Sequence, residues 1–134
     1  MKEIQEMKEI KVKAQAKWVR SGSRKIRRIV NLMRGKAALT AIAELRFYPQ
    51  KGARLLLDVI KSAVANAKHN HKLDEASLYI SEAYVDDGTF LKRFKAASRG
   101  RAAPRKRRTS HVTVFVSPIE REEIHGSEST SKRV

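Results

Sequence analysis

The sequence contains a stretch of 21 residues, from Gly88 to Arg108, that has nine basic residues and no acidic one. Strand-like segments flank it at 77–85 and 111–116. The residues between them, 86–110, are too many for an ordinary hairpin loop. We therefore predict that they fold back on themselves as a long basic β-hairpin, here called the arm. Its basic residues are Lys92, Arg93, Lys95, Arg99, Arg101, Arg105, Lys106, Arg107 and Arg108.

Charge of this density repels itself in free solution, so the arm requires a polyanionic partner. The whole chain carries a formal net charge of +16. A second acid-free block lies between Glu9 and Glu44, and its predicted binding residues are Arg24, Lys25, Arg27, Arg28, Arg34 and Lys36. Most cations of the arm are arginines, whose guanidinium groups pair with phosphate and stack on exposed bases. Nucleic acid is the predicted partner, and a membrane surface is not, because no basic helix carries a bulky aromatic face.

The remaining sequence has the periodicity of a packed body. Apolar and basic residues alternate over 10–18, which predicts a strand with a cationic outer face. Apolar residues at helical spacing predict helices at 24–34, 37–46 and 50–69. Ser23 is predicted to cap the first helix and Gly35 to end it. The strands at 77–85 and 111–116 are predicted to pair antiparallel.

Several kinds of chemistry are excluded or not predicted. The chain has no cysteine, so it has no disulfide, thiolate metal site or cysteine nucleophile. His69 and His71 lie two residues apart at a helix end without clustered acids, so no metal site is predicted. No catalytic grouping or glycine-rich phosphate loop has motif spacing, so neither enzyme activity nor a cofactor is predicted. No apolar run is long enough to span a membrane.

Aromatic residues are few, and most are predicted to lie in the core. Phe90 and Phe94 fall within the arm, where stacking on bases and packing at the base of the hairpin are equally compatible with the sequence. No pair of aromatic-rich strands, as used by RNA-recognition domains, is predicted.

Four parts of the sequence resemble the bacterial-type large-subunit ribosomal protein family number twenty-two. They are 25–36 (KIRRIVNLMRGK), 62–71 (SAVANAKHNH), 84–94 (YVDDGTFLKRF), and Gly100-Arg101-Ala102 together with 106–112 (KRRTSHV). The resemblance extends over about residues 10–116. One departure is that the family commonly has Ser-Pro-Arg-Lys where this chain has Ser23-Arg24-Lys25.

The resemblance implies an α+β fold, with three helices packed on a three-stranded antiparallel sheet and a long basic β-hairpin extension. It implies one rRNA-binding domain at 10–118. Residues 1–9 are predicted to form an N-terminal extension, and the low apolar content of the last residues predicts a flexible C-terminal tail at 119–134. The implied protein is a structural constituent of the cytoplasmic large ribosomal subunit, with an organellar ribosome left open. It would bind large-subunit rRNA through both basic blocks and His111, contact neighbouring ribosomal proteins and support subunit assembly.

The same resemblance implies that the arm lines the nascent-peptide exit tunnel. The nascent polypeptide and macrolide antibiotics would then lie near its tip. The positions implied at or near the tip are Leu91, Lys92, Arg93, Ser98, Arg99, Gly100, Arg101 and Ala102. The alternative, which the charge pattern leaves open, is a free-standing nucleic-acid chaperone or architectural binder.

Overall fold

The computed structural model describes residues 10–119. The three helices are α1 (Ser23–Met33), α2 (Ala38–Leu45) and α3 (Lys51–His71), and the five strands are β1 (Val12–Val19), β2 (Leu78–Asp87), β3 (Leu91–Ala96), β4 (Ala102–Arg107) and β5 (Ser110–Pro118). Short 3-10 turns occupy Glu75–Ser77 and Ser98–Gly100. The predicted N-terminal extension, 1–9, and residues 120–134 of the predicted tail lie outside the described residues.

The main sheet has the strand order β1-β5-β2, and β5 pairs antiparallel with both neighbours. Strands β3 and β4 form a separate antiparallel pair, which is the predicted hairpin of the arm. Strand β5 occupies the centre of the sheet because its valines at alternate positions form a continuous apolar face. The predicted α+β class, with three helices, a three-stranded sheet and a hairpin extension, is confirmed.

Helix α3 supplies the largest part of the core. Its inward side chains include Leu56 and Ile60, which are fully buried with Val112, Val114 and Val116 of β5. Burying one large apolar side chain is worth roughly 1.5–3 kcal/mol, so this contact stabilises the body without any disulfide. The core therefore lies between the helices and one face of the sheet.

The end of α1 is tied to the sheet. Gly35 has a φ of 82°, in the left-handed region where glycine is favoured, and its N–H donates to the carbonyl of Ile80 at 2.9 Å. The prediction that Gly35 ends α1 is confirmed, but the prediction that Ser23 caps the helix is wrong. Gly22 holds the N-cap position, and Ser23 is a buried first residue whose hydroxyl makes no capping bond.

Two predictions about aromatic residues are also corrected. The alternation of β1 stops at Ala16, because a register shift before Val19 inserts an extra residue and turns Trp18 out of the pattern. None of the eight aromatic residues, all of which lie within 10–119, belongs to the buried core. The core is instead built from aliphatic side chains of the helices and strands, which fill the narrow space between α3 and the sheet.

Candidate nucleic-acid interface

The arm places like charges directly opposite each other. Its register sets Lys92 against Lys106 and Arg93 against Arg105, and all four side chains are exposed. Like charges at facing positions of an antiparallel pair destabilise it. The hairpin therefore presents positive charge that only an anionic partner can neutralise.

The cations point to both sides of the hairpin. Successive residues of a strand face opposite sides, so Arg93 and Lys95 lie on one face and Lys92 on the other. Their partners in β4 repeat this division, since facing residues of an antiparallel pair share a side. A strand of six residues extends about 20 Å at roughly 3.3 Å per residue. The geometry fits an element that lies among phosphate groups rather than on a single surface.

The tip of the arm, residues 98–102, reverses the chain through two left-handed residues. Arg99 has a φ of 58° and Gly100 a φ of 68°, and the N–H of Ala97 donates to the carbonyl of Arg101 at 2.8 Å. Ser98, Arg99, Gly100, Arg101 and Ala102 are therefore placed at the tip as expected.

Leu91, Lys92 and Arg93 are not at the tip, which corrects the expectation for these three residues. They pair with Arg107, Lys106 and Arg105 in the half of the arm nearer the main sheet. The reason is the position of the turn: with the reversal at 98–100, residues equally far from it on either side must face each other, so those near 91 lie far from the tip.

The root of the arm consists of residues 88–90 and 108–109. Hydrogen bonds between these two segments hold it together. The N–H of Gly88 donates to the carbonyl of Thr109 at 2.9 Å, and the buried Thr109 hydroxyl donates to the carbonyl of Thr89. The ammonium of Lys106 lies 4.6 Å from the ring centroid of Phe90. Phe90 thus contacts the root of the arm while its side chain stays 40% exposed, whereas Phe94 is 79% exposed in the arm, where its ring is accessible for stacking.

The second basic block divides into two groups. Arg24, Lys25 and Arg28 lie exposed on α1. Arg27 and Arg34 are exposed as well, but they bond to the body: Arg27 donates from Nη2 to the carbonyl of Val85 at 2.7 Å, and Arg34 donates from Nε and Nη2 to the carbonyl of Ala83 at 3.0 and 2.5 Å.

Lys36 belongs to the second group as well, because its Nζ lies 2.5 Å from Oε2 of Glu44. The sequence predicted six equivalent cations between Arg24 and Lys36, whereas the structure leaves three of them facing outward from α1 and engages the other three with the body.

Replacing Arg34 with Met is expected to lower the free energy of unfolding by about 1.5 kcal/mol, because it removes two charge-assisted hydrogen bonds to one carbonyl. Urea unfolding measures this loss. The matched control is Arg24→Met, which removes the same charge from an exposed position and should change stability by less than about 0.5 kcal/mol. Equal destabilisation by the two substitutions would contradict the structural role assigned to Arg34.

His111, predicted as an rRNA-binding residue, contacts an aromatic neighbour that the sequence did not pair with it. Its Nδ1 accepts a hydrogen bond from the backbone N–H of Trp18 at 3.1 Å, and the two rings meet edge-on with centroids 4.6 Å apart. The structure also brings Tyr84 and Phe115 together on neighbouring strands, with ring centroids 6.1 Å apart. The pairing register of β2 and β5, with its irregularity between Ile80 and Glu82, brings these two rings together.

The described residues give no sign of a membrane span or a metal site. No helix within 10–119 has the length and hydrophobicity to cross a membrane. In the same range, His, Asp and Glu side chains form no group of three suited to a metal ion.

Near His69 and His71, at the end of α3, the side chain of Lys68 hydrogen-bonds to Glu75 at 2.8 Å, which raises the pKa of the lysine above its ordinary value.

Comparison with known proteins identifies the family. Residues 14–117 match the family model described as ribosomal protein L22p/L17e. The chain belongs to this family. The matched region includes the exposed cations of α1, the whole arm and β5, so both basic surfaces belong to the family's own domain.

Curated relatives agree with this assignment. The large ribosomal subunit protein uL22 of Lactobacillus gasseri is 50% identical over 105 residues, which cover 78% of this chain and 90% of the relative. The uL22 of Lacticaseibacillus casei is 49% identical over 107 residues, covering 80% and 92%. That of Ligilactobacillus salivarius is 50% identical over 105 residues, covering 78% and 91%. The L22p/L17e family is structural, which confirms the prediction that the chain is not an enzyme.

Proposed function

We propose that this chain is a structural constituent of the large ribosomal subunit that binds large-subunit rRNA and supports subunit assembly. The observation that carries the proposal is the register of the arm, which opposes Lys92 to Lys106 and Arg93 to Arg105 and so requires anions around the hairpin. Residues 10–118 are the rRNA-binding domain of this proposal. Membership of a ribosomal protein family and the bacterial relatives support it, and they favour a cytoplasmic ribosome.

The rRNA-binding surface in this proposal has two parts. The arm lies among rRNA phosphates along both of its faces. Arg24, Lys25 and Arg28 attach the exposed side of α1 to the rRNA. Arg27, Arg34 and Lys36 contribute mainly by holding the body in shape, since their cationic groups bind β2 carbonyls or Glu44. His111 contributes through its contact with Trp18. Neighbouring ribosomal proteins are further partners in this proposal.

The tip of the arm is proposed to line the nascent-peptide exit tunnel, close to the nascent polypeptide and to bound macrolide antibiotics. Residues 98–102 are all exposed and stand at the far end of a hairpin whose strands extend about 20 Å. Only Arg99 and Arg101 carry large side chains there, so the tip is suited to bordering a passage rather than to anchoring the protein.

A free-standing nucleic-acid chaperone remains the competing function, since it would use the same charges. Sedimentation of large subunits in high salt separates the two, because an integral component stays with the subunit and a peripheral binder is washed off by counterion competition. We expect this chain to remain with the large subunit. Its loss into the supernatant would favour the chaperone.

Replacing residues 96–102 with Asn-Gly tests the assignment of the tip. A two-residue turn then closes the hairpin at the Lys95 and Ala103 pair, which keeps most of the ladder. The shortened chain is expected to remain in salt-washed large subunits while macrolide susceptibility or nascent-chain stalling changes, because the anchoring cations are intact.

The matched control is the double variant Arg99→Gln with Arg101→Gln, which loses the same two charges but keeps the tip. If it reproduces the changed stalling, charge rather than reach is responsible. If the shortened chain fails to assemble into subunits, the tip is an anchor and its assignment to the tunnel is wrong.

A further inference from the structure

Trp18 is an exposed aromatic residue in a strained backbone conformation. Its φ is 58°, and its side chain is 57% exposed at the bulge of β1. Positive φ is a true outlier for a bulky residue, and exposure of an indole ring forgoes the hydrophobic gain of burial. Strain that persists in a folded protein points to a role for the strained residue.

Two contacts with β5 hold Trp18, one through its backbone and one through its ring. The backbone N–H of Trp18 donates to Nδ1 of His111 at 3.1 Å, and the two rings are edge-on at an interplanar angle of 85°. His111 is itself anchored between Ser110 and Val112, which are both fully buried. The Ser110 hydroxyl donates to the carbonyl of Ser21 at 3.0 Å, which fastens the chain just after β1 to the same strand. One edge contact therefore positions the indole and leaves ring surface open.

The chain segment that contains Trp18 is cationic. Lys17 and Arg20 are exposed on either side of Trp18 in the chain. Arg20 lines a cleft together with Arg93, Arg105 and other residues of the arm. Asp86 lies opposite His111 on β2, which is on the other side of β5 from Trp18. An accessible ring flanked in the chain by Lys17 and Arg20 matches the combination with which proteins bind single-stranded nucleic acid.

We propose that Trp18, braced by His111, is a stacking platform for an unpaired RNA base whose neighbouring phosphates bind Arg20 and the adjoining cations of the arm. The inference rests on the proposed function and adds to it, because it specifies that part of the recognised RNA is single-stranded. Stacking of this kind accepts any base, since every base has a π face, and purines offer the larger surface. The platform is preformed in the described structure, so binding does not require Trp18 to be ordered first.

Trp18 is the only tryptophan of the chain, so its fluorescence reports directly on the platform. The full chain is titrated with fluorescently labelled oligoadenylate of about 12 nucleotides, and separately with an abasic strand of equal length and charge. Anisotropy of the label measures binding of each strand, and tryptophan emission measures stacking. We expect both strands to bind, with emission falling to about half with oligoadenylate and by less than about a tenth with the abasic strand.

Variants separate the ring from its surroundings. Trp18→Leu should weaken binding of oligoadenylate roughly 5- to 100-fold and binding of the abasic strand less than about threefold, whereas Trp18→Tyr should keep most of the affinity. His111→Ala keeps the tryptophan but removes its brace, and should reduce the quenching. Phe47→Leu is the matched control, because Phe47 is an 88% exposed ring just after α2. It should leave both affinities unchanged.

Each outcome bears on one proposal. Binding without quenching by oligoadenylate, or equal quenching by the two strands, overturns the stacking platform while leaving rRNA binding in place. Failure of the chain to bind large-subunit rRNA, measured by the same anisotropy assay, overturns the proposed function instead. The comparison of the two strands uses the unaltered chain, so it decides the matter even if Trp18→Leu fails to fold.

Discussion

Replacing Lys92, Arg93, Arg105 and Lys106 together with Gln is expected to weaken binding of large-subunit rRNA by roughly 100-fold at about 0.1 M salt. These residues form the two facing like-charge pairs of the arm. Each cation that neutralises a phosphate releases counterions, so the plot of log K against log salt should become shallower by about 3 to 4. Anisotropy of labelled rRNA, repeated over a series of salt concentrations, measures both the affinity and the slope.

The same variant should stabilise the arm of the free protein. Removing two like-charge pairs relieves a repulsion of about 0.2–1 kcal/mol each across the ladder. Amide hydrogens of β3 and β4 are then expected to exchange more slowly in the variant than in the unaltered chain without RNA. Weaker rRNA binding together with slower amide exchange in the free arm would show that these charges serve binding at the expense of the arm's own stability.

A matched control removes four cations from the helical part of the body. Gln at Arg46, Arg54, Lys61 and Lys72 changes the net charge equally, at exposed positions on and near α2 and α3. The control should lower rRNA affinity far less than the arm variant. Similar losses in the two variants, or a loss below about threefold in the arm variant, would show that net charge rather than the arm governs binding.

Replacing Gly88 with Ala is expected to destabilise the root of the arm by about 1–3 kcal/mol, which is the usual range for overpacking. A Cβ atom at Gly88 would lie 2.5 Å from Oγ1 of Thr109 and 3.3 Å from its backbone carbon and oxygen. Because that hydroxyl is already bonded to the carbonyl of Thr89, it cannot move aside without losing its partner. Thermal unfolding measures the stability, and rRNA affinity should fall as the arm is displaced.

A double-mutant cycle with Thr109→Ala tests this explanation. Removing Oγ1 leaves room for the new Cβ, so Gly88→Ala should cost less in the Thr109→Ala background than in the unaltered chain. Gly22→Ala is the control, since nothing lies within 4 Å of the added atom there. Because Gly22 is the N-cap of α1, this substitution should cost no more than about 1 kcal/mol, and the cost should be the same with Thr or Ala at position 109. Additive costs at positions 88 and 109 would show that the steric contact is not the cause.

The local elements were predictable because their signals are local. Helical spacing located α1, α2 and α3 to within two residues at each end, and alternation located β1, β2 and β5. The absence of acids from 88–108 between two strands was enough to predict a basic hairpin there. Each of these signals is repeated over many residues, so no single long-range contact can reverse it.

The individual roles of the basic residues were less predictable. Charge counting treats Arg24 and Arg34 alike, although both are exposed and only Arg34 donates two hydrogen bonds to the carbonyl of Ala83. Leu91 lies far from the tip because the turn is at 98–100. The basic residues occur along the whole arm, so their pattern does not specify the position of the turn. Trp18 lies outside the core because one extra residue in β1 reverses the direction of its side chain relative to the predicted alternation.

The sequence by itself determined the charge of the protein, the order of its elements and the need for a polyanion, since these follow from residue types and from spacing within short segments. Only the tertiary structure decided which cations face outward, which arm residues oppose each other and where the tip lies. It also joined Trp18 to His111, residues separated by 93 positions. The physical reason is that register and pairing depend on contacts between distant segments, and a shift of one residue moves every side chain of a strand to the other face.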